Sequence, residues 1–274
     1  MAFKEILQEK LKEEISSEKL DVLPSGFQRI GDIIILNLNK KLQKHKKIIG
    51  AVVIKLFPNV KTILNKKAGI TGKFRKPQLE ILAGSKNTET INQEHGCFYK
   101  FDVHRIMWAK GNVNERARIA KVVKPDEIIV DMFAGIGYFT IPIAKLAKPK
   151  IVYAIELNPV AYKYLLENIR LNRVQGKVNA IHGNCMQEAK KIASAGIKAD
   201  RIIMGILPSA KKYLPAAKLM SKQGTIIHYE GVGENTEKLI QEIRKIFPKA
   251  RILHEEKVKA YAPKRWHFTI DFQL

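Results

Sequence analysis

The sequence predicts an α/β protein: a parallel, doubly wound sheet of Rossmann type, preceded by a smaller basic α+β module. Three observations lead there. From about residue 112, apolar strands alternate with helical segments at the spacing of βα units. One of those strands, Ile128–Asp131, runs into a glycine turn that opens a helix. Ahead of this alternation the chain is lysine-rich and its strands are short. The boundary is expected near residue 105, giving modules of residues 1–105 and 106–274.

Taken in order, residues 3–16 predict an amphipathic helix, with Phe3, Ile6, Leu7, Leu11 and Ile15 on one face. A strand is expected over Ile30–Leu38, a basic helix over Lys40–Leu56, and short strands at Thr62–Leu64 and Gln78–Ala83. Between the last two, Asn65–Pro77 reads as a loop carrying Lys66, Lys67, Lys73, Arg75 and Lys76 around one aromatic, Phe74. Residues 21–80 hold thirteen basic and three acidic side chains, a local net of +10. Such a segment suits phosphate contacts with one stacking surface. A strand lies within Gly96–Trp108 and a helix over Asn114–Val123. Strands then follow at Ile128–Asp131, Ile151–Glu156, Val178–Ile181, Arg201–Gly205 and Thr225–Tyr229. Arg251–Leu253 and Trp266–Phe272 are expected as an antiparallel edge pair.

Composition narrows the function. The 274 residues carry 49 Lys and Arg against 26 Asp and Glu, a net charge of +23. A field of that sign draws polyanions, so a nucleic-acid partner is expected ahead of a neutral metabolite alone. Two cysteines, Cys97 and Cys185, make neither a disulfide framework nor a four-cysteine zinc site, and no metal is expected. Charges interrupt every apolar run at the start of the chain, and Ile48–Ile54 is far too short to span a bilayer. The expectation is a cytoplasmic protein, without a membrane partner and monomeric.

The glycine turn is the strongest local signal. Gly135 and Gly137 follow Asp131, and Pro142 is tolerable in the first turn of the helix. A dinucleotide fingerprint would place a third glycine at 140, where this chain has Thr140. Asp131 is placed either to reach a ligand or to orient the turn. The next strand ends in Glu156, nineteen residues after Gly137, the distance at which one βαβ step delivers a carboxylate to a ribose diol. Asn158 and Pro159 then start a helix. After the third strand, Asn184 is a candidate for an adenine edge, with Cys185 beside it.

These points together resemble the class I S-adenosylmethionine-dependent methyltransferase fold over roughly residues 112–274. The resemblance implies S-adenosylmethionine as cofactor and group donor, bound by Asp131, Phe133, Gly135, Gly137, Glu156, Leu157, Asn184 and Cys185. A narrower resemblance covers nearly the whole chain. The stretches GDIIILNLN, GITGKFRKP, KFDVHRIMW, GNVNERARI and VKAYAPKRWHFTIDF look like the tRNA-guanosine methyltransferases and their wybutosine-synthesis relatives. Both act on the purine just 3′ of the anticodon in phenylalanine or similar tRNAs.

Two departures favour the wybutosine branch. The methyltransferase branch has Phe-Ser-Pro-Arg before the helix, where this chain reads Trp108-Ala109-Lys110-Gly111-Asn112. It has Asn-Leu-Pro after the fourth strand, where this chain reads Gly205-Ile206-Leu207-Pro208-Ser209. An asparagine there holds a guanine edge; Gly205 has no side chain to do so. The resemblance implies transfer of the 3-amino-3-carboxypropyl group to carbon 7 of 4-demethylwyosine, releasing 5′-methylthioadenosine. The protein chooses among the three carbons on the sulfonium by which one it aims at the acceptor. Arg116 is then the candidate for the carboxylate of the transferred arm. The Ala109 backbone is expected beside the cofactor, Lys110 and Arg118 on cofactor or RNA phosphate, and Asp131, Pro208 and Ser209 as positioning groups. His104, His228 and His267 are available as bases, but nothing in the sequence singles one out.

Overall fold

The computed structural model describes residues 1–274, apart from the side chain of Lys110. The chain divides into two compact units, residues 1–93 with 98–108, and residues 94–97 with 109–274.

The first unit contains α1 (Phe3–Leu11), α2 (Ser17–Leu20), β1 (Gln28–Ile30), β2 (Ile33–Leu36), α3 (Lys46–Leu56), β3 (Thr62–Thr71) and β4 (Lys76–Gly84). Its sheet runs β1-β2-β3-β4, with β2 and β3 parallel across α3. Leu7, Leu11, Leu36, Ile49, Val53 and Ile63 form its core. The strand expected over Ile30–Leu38 is broken into a hairpin, because Gly31 takes φ +53° where Thr90 and the Ile91 carbonyl leave no room for a Cβ. The predicted helix over residues 3–16 stops at Leu11, yet Ile15 stays buried in the turn that follows. The basic segment is not a loop. β3 and β4 pair antiparallel from Thr62↔Gly84 to Thr71↔Lys76, so Asn65–Pro77 is mostly a two-stranded ribbon. A second hairpin, β5 (Glu89–Glu94) with β6 (Cys97–Asp102), has its turn residues 94–97 in the other unit.

The second unit follows the predicted alternation: α4 (Val113–Val122), β7 (Ile128–Asp131), α5 (Thr140–Leu146), β8 (Ile151–Glu156), α6 (Pro159–Leu171), β9 (Val178–His182), α7 (Cys185–Ser194), β10 (Ala199–Met204), α8 (Leu214–Met220), β11 (Ser221–Gly233), α9 (Glu237–Ile246), β12 (Arg251–Ala262) and β13 (Arg265–Gln273). The seven-stranded order is β12-β13-β11-β10-β7-β8-β9. β9, β8, β7, β10 and β11 run parallel; β13 and β12 complete the sheet antiparallel. The chain moves outward through β7, β8 and β9, then returns to place β10 on the other side of β7. That reversal opens a crevice at the carboxyl ends of β7 and β10, where ligands bind in doubly wound sheets.

α4 is tied to the sheet by buried ion pairs. Arg118 donates to both Glu115 and Asp271, the latter at 2.6 Å. Asp271 in turn meets Nδ1 of His228 at 2.6 Å, and Nε2 of His228 meets Arg201, whose guanidinium also holds Glu127. Burial holds His228 below its ordinary value against the pull of Asp271. Because Arg201 can only donate, Nε2 accepts and the neutral ring carries its proton on Nδ1. No helix among the described residues is long and apolar enough to cross a membrane.

Candidate active site

The site grows from the end of β7. Asp131 is fully buried, accepts a hydrogen bond from Thr140 Oγ1 at 2.7 Å, and accepts a longer one from the Phe133 N–H at 3.3 Å. Burial pushes its carboxyl up to about 7, against the hydrogen bond from Thr140. Between the two alternatives for this residue, the contacts are those of a group that orients the turn. Gly135 and Gly137 lie at φ +58° and +98°, conformations that admit glycine without strain. A Cβ on Gly135 would strike the Tyr138 ring at 2.6 Å, and one on Gly137 would strike Ile141 at 2.6 Å.

Glu156, at the end of β8, closes the other side of the turn. Its Oε2 accepts the Gly135 N–H at 2.7 Å and its Oε1 accepts the Asn158 N–H at 2.6 Å. Burial raises this carboxyl, while the backbone donors of Asn158, Gly135 and Leu157 work against that rise. A carboxylate offers about four acceptor sites, so it can still accept a hydroxyl donor. The acid thus braces the glycine turn. Leu157 follows it, partly exposed. At the end of β9 the Tyr162 and His182 rings stack at 5.0 Å. Asn184 caps α7 by accepting the Met186 N–H at 2.9 Å. Burial drives the Cys185 thiol up to about 12, so it stays protonated and packs.

Arg116 is buried and its guanidinium fork is filled from within the chain. Nε and Nη2 each reach a Glu94 oxygen at 2.7 Å, and both Nη atoms point at the Ala109 carbonyl at 3.3 and 3.4 Å. Its Cζ lies 5.8 Å from the Tyr138 ring centroid. Ala109, Arg116, Tyr138, Gly135 and Glu156 are therefore linked contact by contact. Beyond β10, Phe139 lies against Gly205, where a Cβ would meet its ring at 2.7 Å, and Phe133 packs edge-on to Tyr213 at 4.8 Å. The Pro208 carbonyl accepts the Val232 N–H, and Ser209 Oγ accepts the Lys211 N–H at 3.2 Å and contacts the Tyr229 hydroxyl at 3.4 Å.

The expected phosphate ligands divide. Lys66, Lys67, Lys73 and Lys76 stand exposed on the β3–β4 ribbon with Arg75 half-buried among them. Arg118 is engaged within the second unit, donating to Glu115 and Asp271 between α4 and β13. The side chain of Lys110 lies outside the described residues. Three site residues escaped the sequence. Glu94 sits twenty-two positions before Arg116, and no spacing rule links them. Tyr138 has no motif of its own. Thr140 was legible in principle, as a hydroxyl standing where a third glycine would be and answering the acid nine residues earlier.

A glycine turn braced by the acid of the next parallel strand, at the reversal point of a doubly wound sheet, defines a nucleoside-binding site of the S-adenosylmethionine-dependent transferase class. Known proteins carry the same design: residues 90–258 match the TRM5/TYW2 methyltransferase domain and residues 7–88 the TYW2 N-terminal domain, so the chain belongs to the TRM5/TYW2 family. It is 41% identical over 252 residues to the tRNA(Phe) (4-demethylwyosine(37)-C(7)) aminocarboxypropyltransferase of Methanocaldococcus jannaschii, covering 89% of this chain and 96% of that protein. It is 39% identical over 277 residues to the Pyrococcus horikoshii protein of the same name, covering 98% and 96%. The crystal structure of P. horikoshii TYW2 in complex with MeSAdo superposes with a TM-score of 0.84 at 36% identity, over 99% of this chain and 98% of that one.

Proposed function

We propose that this protein is a tRNA-modifying transferase. It moves the 3-amino-3-carboxypropyl group of S-adenosylmethionine to carbon 7 of 4-demethylwyosine, beside the anticodon of phenylalanine tRNA. The carrying observation is similarity along nearly the full length of two relatives bearing that name, at 41% and 39% identity. The sulfonium donor supplies an activated carbon. The carbon–sulfur bond breaks, a bond to carbon 7 of the base forms, the base loses the proton at that carbon, and neutral 5′-methylthioadenosine departs. The chain's own contribution is positioning.

The residues present fit that donor. Glycines at positive φ let the turn's backbone approach a nucleoside closely. The Glu156 carboxylate, beside that turn, suits the hydroxyls of a ribose. Arg116 fixes the Ala109 carbonyl and acts on the amino-acid arm of the donor. Gly205 leaves the end of β10 without the side chain that the methyltransferase branch places on guanine. The exposed cations of the β3–β4 ribbon carry the phosphate contacts, and the enzyme acts as a monomer.

The deciding experiment pairs the protein and S-adenosylmethionine with tRNA bearing the tricyclic precursor, in parallel with tRNA bearing plain guanosine. Mass spectrometry of the small product is expected to find methylthioadenosine, formed only with the precursor. S-adenosylhomocysteine formed on the plain-guanosine tRNA would make the protein a methyltransferase instead. For the site, Glu156→Ala is expected to weaken S-adenosylmethionine binding at least tenfold by calorimetry, and wild-type affinity would remove Glu156 from the ribose.

A further inference from the structure

The first unit holds a cavity that the transfer chemistry does not use. It encloses about 300 Å³ and is built wholly from residues of that unit. Ile35, Leu79, Ile106 and Trp108 give it apolar walls, and Trp108 is itself fixed by stacking on Phe101, 5.2 Å away at 14° between planes. Polar groups interrupt these walls at two places. Gln28 donates its amide to the Trp108 carbonyl at 3.3 Å, and Gln78 donates to Thr71 Oγ1 at 2.9 Å. In both, the amide N–H₂ is the group engaged, so the carboxamide oxygens remain as acceptors beside an apolar slot. Lys66, exposed on β3, also lines it.

We propose that this cavity takes an unpaired nucleobase of the bound RNA, one other than the base that is modified. A nucleobase is a flat apolar body with a polar edge, attached to a phosphate. The cavity offers apolar walls for the first, two carboxamide oxygens for the second and a lysine for the third. Charge selects RNA over a peptide or lipid occupant. The cavity is lined by both strands of the β3–β4 ribbon, whose four lysines stand exposed, inside a segment of net charge +10. Single-stranded bases splayed from a loop are what proteins read by walls and edge acceptors, because a paired base has already spent its edge. Acceptor oxygens favour a base with an exocyclic amine over uracil.

This proposal rests on the tRNA reading above, and its test keeps the two apart. Ala68 lines the cavity from an exposed position on β3, so Ala68→Trp fills the space with little demand on the core. 2-Aminopurine is placed in turn at each unpaired anticodon-loop position of the tRNA. With the wild type, one position is expected to change fluorescence on binding. Ala68→Trp should abolish that change and weaken tRNA affinity about tenfold, while S-adenosylmethionine affinity stays at the wild-type value. Gln78→Ala, on the same exposed ribbon, should give a smaller loss of the same signal. Wild-type tRNA affinity and an unchanged signal in both variants would overturn the cavity's role. If the cavity signal holds but no methylthioadenosine forms on precursor tRNA, the transfer reading falls and the base site stands. A wild type that binds no tRNA would overturn both.

Discussion

Two groups of cations, one in each unit, have opposite fates. On the β3–β4 ribbon, Lys66, Lys67, Lys73 and Lys76 stand exposed to water. In the second unit, Arg116, Arg118 and Arg201 are each clamped by carboxylates and are 3%, 21% and 2% exposed. Net charge, read from composition, weighs both sets alike. Only the first can release counterions from a nucleic acid. The second holds helices and loops against the sheet, as Arg118 does through Glu115 and Asp271.

The largest effect should come from breaking a clamp. Arg116→Met leaves Glu94 buried and uncompensated, and is expected to cost about 3–5 kcal/mol of unfolding free energy in a denaturant titration. It also sharpens the role of the fork. If Arg116 holds the carboxylate of the donor's arm directly, Glu94→Gln frees the fork and S-adenosylmethionine affinity holds or rises. If Arg116 acts only by fixing the Ala109 carbonyl, Glu94→Gln lowers affinity along with Arg116→Met, because the fork loses its anchor. Calorimetry on the two variants separates these outcomes.

A smaller effect should show in pH dependence, at Asp131. Its folded value of about 7 is above its ordinary one, so the folded state holds the proton more tightly than the unfolded chain. The stability this group contributes is fully present below about pH 4 and is lost as pH rises through 7. Asp131→Asn has no such titration. Wild-type stability minus that of Asp131→Asn is therefore expected to fall between pH 4 and 7 and to level off above. His228, held low by burial, works in the other direction, losing stability as pH falls below about 6.5. Being common to both proteins, it cancels in the difference. A difference flat across pH 4–8 would mean that Asp131 ionises in the fold as it does in water.

How much of this was legible follows from the range of the signal. Strands β7 and β8 were read to the residue, because an apolar run ending in an acid before a glycine turn or an Asn-Pro start is entirely local. That Glu156 stands beside the glycine turn was also legible, since one βαβ step has a fixed length, although its bond to the Gly135 N–H was not. The β3–β4 ribbon was not. Its outer half has no core to face, so no alternation marks it, and its glycines and lysines read as a loop. β5, with the sequence ETINQE, is polar for the same reason. The Arg116–Glu94 pair depends on a fold-level contact that one sequence cannot display. A guanidinium next to a glycine turn reads as a ligand for an incoming carboxylate, and nothing in the sequence shows that Glu94 also reaches it.

The ribbon gives the smallest effect on folding and the clearest break between the two sets of cations. Lys66→Glu with Lys67→Glu breaks no buried contact, because both side chains are exposed, so the unfolding free energy should stay within about 0.5 kcal/mol of wild type. The change should appear in RNA affinity instead. Two cations become two anions beside a polyanion, and tRNA affinity is expected to fall by at least tenfold in filter binding at low salt. Each phosphate contact contributes about 0.7–0.9 to the slope of log affinity against log salt. If both lysines meet phosphates, the slope therefore becomes shallower by about 1.4–1.8, and the two proteins converge as salt rises. S-adenosylmethionine affinity, set by the glycine turn and Glu156, should not move. An unchanged slope with lowered affinity would mean that the ribbon acts through the long-range field alone. An unchanged affinity would move the RNA surface elsewhere and leave these lysines as solvated charge.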